Sequence, residues 1–489
     1  MNDNASPTND QGATGLKKNA LGLVGATIIG VVIMSPSMAI IANVGPIAAQ
    51  LTGGATSLVF LVALLIILPT AYSYAHLSNR IPTAGSAYKW ASQLISPKIG
   101  IAIGFCCALY YALIFATLPP LIGQVGLDLF STTSPLVFAL VLFGSIVVVA
   151  PLIFRGVSVS LEAAVVLVVI EVTIMMVASV AGLISSPEGH LSLAPLDPSG
   201  IGSLSIMASV LILAVLAFTG FDAVSTVAEE TRMPKSVVPK GTLFSALAVG
   251  LLWVLTSFLI SNSFSPDTLG RVVENGGVPL SHSAQTAFGS AGRIVIDLMA
   301  LEAGLGVLIG SAIGASRLLY SMSRDGILPQ RLGWLHPRFE VPWVSLATVL
   351  GLAVFLNVAV ALYVGLSLNI FIWLANVTVL FLLITFISVN ASNIAIGIRE
   401  NEHGFHWLRN GVVPVFGIIV LGYFLYRAFF KSLWGLGFEM GRSCVIVGLL
   451  AFAVALIAGY VLARTRGDLA GDNAVGVTEV DSREEVAAP

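Results

Sequence analysis

The sequence predicts an all-α integral membrane protein with about twelve transmembrane helices. Three observations lead to this fold class. Of the 489 residues, 57% are hydrophobic and only 10% are charged, whereas soluble domains carry about 25% charged residues. Apolar stretches of about 20 residues, long enough to cross a bilayer as helices, recur along the whole chain. Lysine and arginine residues are concentrated in alternate connections between these stretches, as the positive-inside rule describes.

The apolar stretches define the predicted spans, which we number in chain order. Backbone polar groups in lipid must be bonded within the segment. The segments are too long and too uniformly apolar for the alternating strands of a β-barrel, so each is predicted to be a helix. The spans cover residues 20–43, 56–78, 100–126, 134–154, 159–184, 204–228, 241–262, 293–320, 341–364, 369–390, 411–430 and 443–463.

The basic residues predict the orientation of the chain. If the N-terminus lies in the cytoplasm and the spans alternate, most of the 23 lysines and arginines fall on the cytoplasmic side, where such an excess is expected. The exceptions are Arg271, Arg293, Arg427, Lys431 and Arg442. Segments 1–19 and 464–489 are therefore predicted to be cytoplasmic tails, and the protein is expected in the cytoplasmic membrane.

Several function classes lack their sequence signatures. No basic cluster with interleaved aromatic residues indicates nucleic-acid binding, and no Walker sequence indicates an ATP-driven pump. The six histidines lie at span ends or in loops, and the His403 and His406 pair has no third ligand nearby. The three cysteines are interpreted as reduced and buried. We therefore expect no metal site and no cofactor.

Spans 1 and 6 contain residues that interrupt helices. Span 1 contains Gly30 followed by Ser35 and Pro36, and span 6 contains Thr-Gly-Phe-Asp at residues 219–222. Interrupted helices at matching positions of two halves are typical of secondary transporters, because the break frees backbone polar groups at mid-membrane for a solute. Ordinary kinking is the alternative, since glycine and proline are common in membrane helices.

Four motifs resemble those of the amino acid–polyamine–organocation (APC) superfamily. The segment similar to that family's sixth helix and following loop is GFDAVSTVAEETRMPKSVVPKG at 220–241. The loop between its second and third helices resembles RIPTAGSAYKW at 80–90. The end of its eighth helix resembles ASRLLYSMSRDGILP at 315–329, and the approach to its ninth resembles HPRFEVPW at 336–343. The motifs occur in the family's order.

The resemblance implies a LeuT-like fold, a 5+5 inverted repeat plus two C-terminal helices. It implies a first repeat at 20–184, a second repeat at 204–390 and the last two spans at 411–463. It also implies alternating access, with the substrate between broken spans 1 and 6 and beside spans 3, 8 and 10. The implied activity is uptake or exchange of amino acids, polyamines or related amines.

Three acidic residues within spans are functional candidates, because an ionisable group in a bilayer is costly. Glu171 lies halfway along span 5, where some proton-coupled relatives carry a lysine, so this sequence departs from the lysine mechanism. Burial of a carboxylate favours its protonated form, which makes Glu171 a candidate proton site. A structural hydrogen bond is the alternative role for Glu171. Asp222 in the break of span 6 is expected to cap the freed half-helix or to face a substrate amine. Glu302 in span 8 is a candidate for ion coupling.

The candidates for substrate contact lie in spans 1, 3, 6 and 10. They are Gly30, Ser35, Tyr110, Phe218, Gly220, Phe221, Asp222, Trp373 and Asn376. The aromatic residues suit a thin gate or an amine held against a ring, with core packing as the alternative. Val32 and Met34 stand where the family has a second glycine and a phenylalanine, so the break is expected nearer Ser35. This departure weakens the case for binding an α-carboxylate and leaves room for an amine.

Charged residues at the cytoplasmic ends of the spans are predicted to form an inner gate. The candidates are Arg80, Glu229, Glu230, Arg324 and Asp325. Ion pairs among them would hold the gate shut and break on opening. Positive-inside anchoring by solvated loops is the alternative.

Together these observations predict a secondary active transporter, a permease for amino acids or amines with proton-coupled uptake. An amino acid or amine exchanger is the first alternative, and a membrane enzyme or a transporter-like nutrient sensor ranks lower. The expected partners are a small-molecule substrate, a proton or other coupling ion, and the lipid bilayer, but not nucleic acid. The protein is expected to be a monomer or a homodimer.

Overall fold

The structure is a computed structural model that describes residues 21–51, 55–155, 161–274, 277–399, 405–435 and 441–475. The helices are α1 (Leu23–Met34), α2 (Pro36–Ala48), α3 (Thr56–Arg80), α4 (Ser86–Leu94), α5 (Pro97–Leu129), α6 (Pro135–Phe154), α7 (Leu161–Ser185), α8 (Leu204–Ala217), α9 (Ala223–Thr226), α10 (Pro234–Ser263), α11 (Pro266–Glu274), α12 (Pro279–Arg324), α13 (Trp343–Val364), α14 (Asn369–Arg399), α15 (Val413–Leu425) and α16 (Ser443–Val475). Turns of π-helix at Trp407–Val412 and Tyr426–Leu433 extend α15 at both ends.

Within the described residues, eleven helical segments are long and apolar enough to cross a membrane, with α1 and α2 counted together. The remaining predicted span, span 6, is divided: α8 has only 14 residues, fewer than the roughly 20 that a bilayer requires. The break in span 6 therefore accounts for the difference between eleven long helices and the predicted twelve.

Span 1 is interrupted at Ser35, as the sequence predicted. Ser35 has φ 45° and ψ 91°, outside the helical region, and Pro36 begins α2. Proline has no N–H to continue the α1 hydrogen-bond ladder, and it disfavours a helical conformation in the residue before it. The same properties suit proline to the first position of a new helix.

Span 6 is interrupted between Ala217 and Ala223. At Gly220, the backbone of this break lies directly against the end of α1, beside the break in span 1. Gly220 has φ +125°, which favours glycine. A Cβ atom at this position would lie 2.7 Å from the Met34 nitrogen and 2.9 Å from the Ile33 carbonyl carbon. Only a residue without a side chain allows the two interrupted segments to approach so closely.

The start of α1 is joined to the segment after α9 by main-chain hydrogen bonds. The Leu21 N–H donates to the Glu230 carbonyl at 3.1 Å, and the Arg232 N–H donates to the Leu21 carbonyl at 2.8 Å. Helix α1 also packs closely on α10, because a Cβ atom at Gly30 would lie 2.8 Å from the Ser245 hydroxyl.

Helix α5 lies at the centre and packs against α4, α6, α12, α13, α14 and α16. Arg80 and Arg324 end their helices at one end of the bundle, which we call the basic end. The opposite end, with the connections 186–203 and 264–278, is called the loop end.

Two helices extend beyond the predicted bounds of their spans. Span 8 was predicted to begin at residue 293, but helical structure in α12 begins at Pro279 and continues across a kink at Gly289, where φ is +64°. The segment before the kink is too polar to satisfy a search for apolar stretches. Helix α16 continues to Val475, beyond residue 463, where the last span was predicted to end. The predicted tail 1–19 and the end of the predicted tail 464–489 lie outside the described residues.

Candidate functional site

Two cavities adjoin the break in span 1. The central cavity, of about 70 Å³, lies between the two breaks, α5, α12 and α14, and all of its lining residues are uncharged. The large cavity, of about 420 Å³, lies between α1, α7, α9 and α12 and extends to Glu230 and Arg317 at the basic end. Ile33 and Ser35 line both cavities, so the break in span 1 is the point where they meet.

Glu171 on α7 bonds the N-terminus of α2. The Ser37 N–H donates to the Glu171 Oε1 at 2.8 Å, and the Ser37 hydroxyl donates to the same oxygen at 2.6 Å. Glu171 is only 4% exposed and lines the large cavity. The carboxylate therefore accepts one of the backbone donors that the break frees, where the positive end of the α2 dipole also favours negative charge.

The first turn of α2 retains little capacity to bind another anion. Pro36 has no N–H, the Ser37 N–H donates to Glu171, and the Ala39 N–H donates to the Ser35 carbonyl at 3.1 Å. Of the first four residues of α2, this leaves the Met38 N–H for a ligand. An anionic ligand at this helix end would also meet the charge of Glu171.

The central cavity borders the first turn of α2, at Met38 and Ala39, and also the C-terminal ends of two half-helices. Ile33 and Met34 at the end of α1 and Leu216 and Ala217 at the end of α8 line it. The last carbonyl groups of a helix have no partner within that helix and carry partial negative charge. This geometry favours a cationic group in the central cavity.

Asp222 is bonded within the break of span 6. Its carboxylate accepts the Tyr110 hydroxyl at 3.1 Å, the Tyr111 hydroxyl at 2.7 Å and the Gly220 N–H at 3.0 Å. It makes no side-chain bond to the amides of α9, and it is among the lining residues of neither cavity. Asp222 therefore joins α5 to the break and satisfies an amide there.

Glu302 on α12 lines the large cavity together with Glu171. Gly306, one turn later, also lines it, and a Cβ atom there would contact only Val32, at 3.5 Å. The absence of a side chain at Gly306 therefore leaves room between α12 and α1 beside the two carboxylates.

Ion pairs join three segments at the basic end. Arg317 contacts Glu230 at 2.8 Å, and this pair lines the large cavity. Burial raises the pKa of Glu230, and the neighbouring Arg317 opposes that effect. Arg324 contacts Glu229 at 3.3 Å and is more exposed.

A third ion pair lies between α4 and the residue that follows α12. Lys89 contacts Asp325 at 2.7 Å, and the Tyr88 hydroxyl donates to the same carboxylate at 2.8 Å. The predicted gate residues Glu229, Glu230, Arg324 and Asp325 thus meet partners across the basic end. Arg80 lines a separate cavity together with Lys235 and Arg399.

The other predicted contact residues are not among those that line the two cavities. Phe218 is fully buried against Trp253, with ring centroids 5.0 Å apart, and Phe221 is fully buried against Tyr74 and Phe386. The Trp373 Nε1–H donates to the Ser443 hydroxyl at 3.0 Å, so it joins α14 to α16. Gly30 packs on α10, and Asn376 is buried in α14.

Several residues at the site were missed by the sequence reasoning. They are Ile33, Ser37, Met38, Thr117 and Phe371 at or beside the cavities, and Lys89 and Arg317 in the ion pairs. Ser37 had a usable signal, because it follows the proline that begins α2. Arg317 lies within a motif that had already been singled out.

The amino acid permease family model matches residues 19–450. The chain belongs to the amino acid permease family. The low-affinity putrescine importer PlaP of Escherichia coli strain K12 is 27% identical to this permease over 455 residues, covering 90% of this chain and 92% of that protein. The branched-chain amino acid permease BcaP of Bacillus subtilis is 27% identical over 349 residues, covering 67% of this chain and 72% of that protein.

The permease also resembles solved structures. One is the crystal structure of a mutant manganese transporter from Eremococcus coleocola, whose match covers 92% of this chain and 95% of that chain. The TM-score is 0.58 and the sequence identity is 13%. This likeness shows the fold, which is the LeuT-like arrangement that the APC resemblance implied. The permease is a multi-pass membrane transport protein.

Proposed function

We propose that this permease takes up a small organic amine, such as an aliphatic diamine, across the cytoplasmic membrane. The observation that carries the proposal is the pair of hydrogen bonds from Ser37 to Glu171. Helix N-termini bind anions through free amides and a positive dipole. Because a carboxylate of the protein itself occupies this position, the substrate does not need one.

The charges around the cavities support a cationic substrate. The central cavity adjoins the C-terminal ends of α1 and α8, where carbonyl groups favour an ammonium group. The large cavity contains Glu171 and Glu302. Among the described residues, the one basic residue that lines it, Arg317, is paired with Glu230. An amine is therefore favoured along the path from the basic end to the breaks.

Two relatives give two candidate substrate classes. PlaP, which aligns with 90% of this chain, is a putrescine importer, and its name agrees with an amine substrate. BcaP is a branched-chain amino acid permease, and the apolar side chains of Met38, Leu118 and Phe371 in the central cavity suit a branched aliphatic group. A branched-chain amino acid is therefore the second candidate, although its carboxylate would find only the Met38 amide at α2.

Coupling is proposed to occur at Glu171. Both bonds from Ser37 go to Oε1, which leaves Oε2 to bind a proton beside the large cavity. The basic end is assigned to the cytoplasm by the positive-inside rule. In this orientation the Arg317–Glu230 and Arg324–Glu229 pairs close the inner path, and they must separate when the large cavity opens.

Matched substrate pairs test the proposal. The purified protein is reconstituted in proteoliposomes, and uptake of radiolabelled putrescine is measured against competitors. Putrescine and ornithine differ only in a carboxyl group, as do 3-methylbutylamine and leucine. We expect each amine to compete at least about tenfold better than its amino acid, a difference of about 1.4 kcal/mol. If leucine and ornithine compete and their decarboxylated partners do not, the amine assignment is wrong. Counterflow without a pH effect would favour exchange over proton coupling.

A further inference from the structure

The central cavity has a second polar end, on the side toward the loop end. The cavity extends from the breaks, at Met34 and Ala217, to Asn43 on α2 and Leu121 on α5. Asn43 comes seven residues after Pro36, the first residue of α2, which places it about 10 Å further along the helix at about 1.5 Å per residue. The cavity is therefore elongated, with one end at the breaks and the other beside Asn43.

Thr117 on α5 lies at about the same level as Asn43. The Tyr111 hydroxyl donates to Asp222 in the break of span 6, so Tyr111 marks the level of the breaks on α5. Thr117 comes six residues later, about 9 Å nearer the loop end, and it also lines the central cavity. We call Asn43 and Thr117 the distal subsite.

The amide of Asn43 presents an acceptor. Its Nδ2–H donates to the Ala39 carbonyl at 2.8 Å, whereas Oδ1 is buried and has no hydrogen-bond partner among the residues that the structure describes. The reversed amide would place Oδ1 against the Ala39 carbonyl oxygen, so the bond to Ala39 fixes which atom is the oxygen. Asn43 is only 3% exposed, and an acceptor buried without a partner is costly. A ligand that donates a hydrogen bond would remove this cost.

Two threonines that line the cavity also present acceptors. The Thr117 hydroxyl donates to the Leu113 carbonyl at 2.5 Å, and the Thr219 hydroxyl donates to the Leu216 carbonyl at 2.6 Å. A hydroxyl has one proton, so each of these groups keeps only lone pairs for a ligand. The polar side chains of Asn43, Thr117 and Thr219 thus donate to the backbone of their own segments and leave acceptors for the cavity.

We propose that Asn43 Oδ1 accepts the second ammonium group of an aliphatic diamine, while the first lies at the carbonyl ends of α1 and α8. This assignment rests on the amine uptake proposed above. An ammonium group has three N–H donors and no acceptor, which matches the acceptors of the distal subsite, and a charge-assisted bond is stronger than a neutral one. Asn43 is therefore the residue that selects diamines over monoamines.

The dimensions of the cavity fit a diamine of about the length of putrescine. An extended chain covers about 1.2 Å per bond, so two nitrogens that are five bonds apart lie about 6 Å from each other. A hydrogen bond of about 2.9 Å at each end extends this reach to about 12 Å, close to the distance of about 10 Å from the start of α2 to Asn43. The methylene groups would lie against the apolar side chains of Met38, Leu118, Val307 and Phe371.

The test compares three ligands that differ only in one terminal group. Putrescine, 4-aminobutan-1-ol and pentylamine carry an ammonium, a hydroxyl and a methyl group at the same end of the same chain. Each is added to the full-length protein in nanodiscs, and the melting temperature is followed by intrinsic fluorescence. Because a ligand that binds the native state stabilises it, the concentration for half-maximal stabilisation reports its binding without a transport assay.

The variants remove or keep the acceptor. Asn43→Leu removes it at similar size, and Asn43→Asp keeps an oxygen in either protonation state. Thr117→Val removes the second acceptor of the subsite and serves if Asn43→Leu does not fold. The matched control is Asn357→Leu, because Asn357 on α13 is also fully buried with an Oδ1 that has no partner among the described residues, but it lines neither of the two cavities at the breaks.

We expect the wild type, Asn43→Asp and Asn357→Leu to bind putrescine at least about tenfold more tightly than the other two ligands. Asn43→Leu should bind putrescine about tenfold more weakly than the wild type and pentylamine at least as tightly, so that the preference disappears. Thr117→Val should reduce the preference about threefold.

A preference for putrescine that persists in Asn43→Leu, or that is lost in Asn357→Leu as well, would overturn the assignment. Equal binding of putrescine and 4-aminobutan-1-ol by the wild type would also overturn it, because a neutral donor would then be sufficient. If either result occurs while wild-type proteoliposomes take up putrescine, only the distal subsite is wrong. If putrescine is neither bound nor taken up, the proposed function is wrong as well.

Discussion

The contact between Glu171 and Ser37 predicts that coupling and substrate transport can be separated by one substitution. Glu171→Gln keeps an oxygen that can accept the Ser37 N–H and hydroxyl, but it removes the group that binds a proton. Glu171→Ala removes both. The two variants together distinguish a proton site from a residue that only closes the end of α2.

The structure sets the expected sizes of these effects. Hydrogen bonds to charged groups contribute about 1.5–3 kcal/mol each, and neutral ones about 0.5–1.5 kcal/mol. Because two bonds change from charged to neutral, Glu171→Gln should lower the free energy of unfolding by about 2 kcal/mol. Glu171→Ala leaves the Ser37 N–H without its acceptor at a site where Glu171 is 4% exposed, and should cost about 3 kcal/mol. For transport, coupling to one proton across one pH unit supports about tenfold accumulation.

Proteoliposomes with a clamped membrane potential give the assay. Radiolabelled putrescine accumulation is measured with and without an imposed pH gradient, and exchange is measured with no gradient. We expect Glu171→Gln to accumulate substrate to about the outside concentration while its exchange rate stays within about threefold of the wild-type rate. Undiminished pH-driven accumulation in Glu171→Gln would refute the assignment of the proton site. Loss of exchange together with accumulation would show that Glu171 is needed for substrate binding.

Three further predictions concern the breaks, the basic end and the loop end. Gly220→Ala should cost about 3 kcal/mol or more, because φ is +125° and the new Cβ would meet the Met34 nitrogen at 2.7 Å. Gly365→Ala, where φ is +85° and the space is open, should lower the free energy of unfolding by only about 1 kcal/mol. Equal melting temperatures of the Gly220→Ala and Gly365→Ala variants would contradict this reasoning. Arg317→Gln should increase the labelling of cysteines placed in the large cavity by a thiol reagent, because it breaks the pair with Glu230. The side chains of this pair are only 18% (Arg317) and 13% (Glu230) exposed, so the loss of one partner is costly. Arg324→Gln, from a pair that is 46% and 31% exposed, should change labelling little, and the reverse order would count against the gate. Glu188 accepts the Ser265 N–H at 2.8 Å and the Thr268 hydroxyl at 2.9 Å, and these hydrogen bonds lower its pKa. Its stabilising effect should be complete above the unfolded pKa of about 4.3 and disappear as pH falls through the lower folded value. Melting curves of the wild type and Glu188→Gln should therefore differ at neutral pH and converge in acid.

The fold could be predicted from the sequence because its main signals are local. An apolar stretch of sufficient length must form a helix in lipid, and Ser35-Pro36 marks a break within a few residues of where it occurs. The kink at Gly289 was missed because it depends on a positive φ in a polar segment, for which composition gives no signal.

The candidate site was less accessible to the sequence, because its contacts join distant parts of the chain. Glu171 and Ser37 are 134 residues apart, so the acid was recognised as unusual but its partner was not. Phe218 and Phe221 have the composition of a gate, but the structure packs them on Trp253, Tyr74 and Phe386. A sequence shows which side chains are costly in lipid, but it does not show which neighbours compensate for that cost.

The main-chain bonds between Leu21 and the segment 230–232 constrain how the large cavity can open. They attach the free end of α1 to the end of span 6, so α1 cannot swing outward alone without breaking them. With these bonds intact, α1, α9 and the start of α10 must tilt together as one rigid body. The breaks at Ser35 and Gly220 are then the hinge of this motion. Among single substitutions, only a change to proline at Leu21 or Arg232 removes a donor of these bonds. The coupled motion is therefore a property of the backbone path, and side chains adjust only how often it occurs.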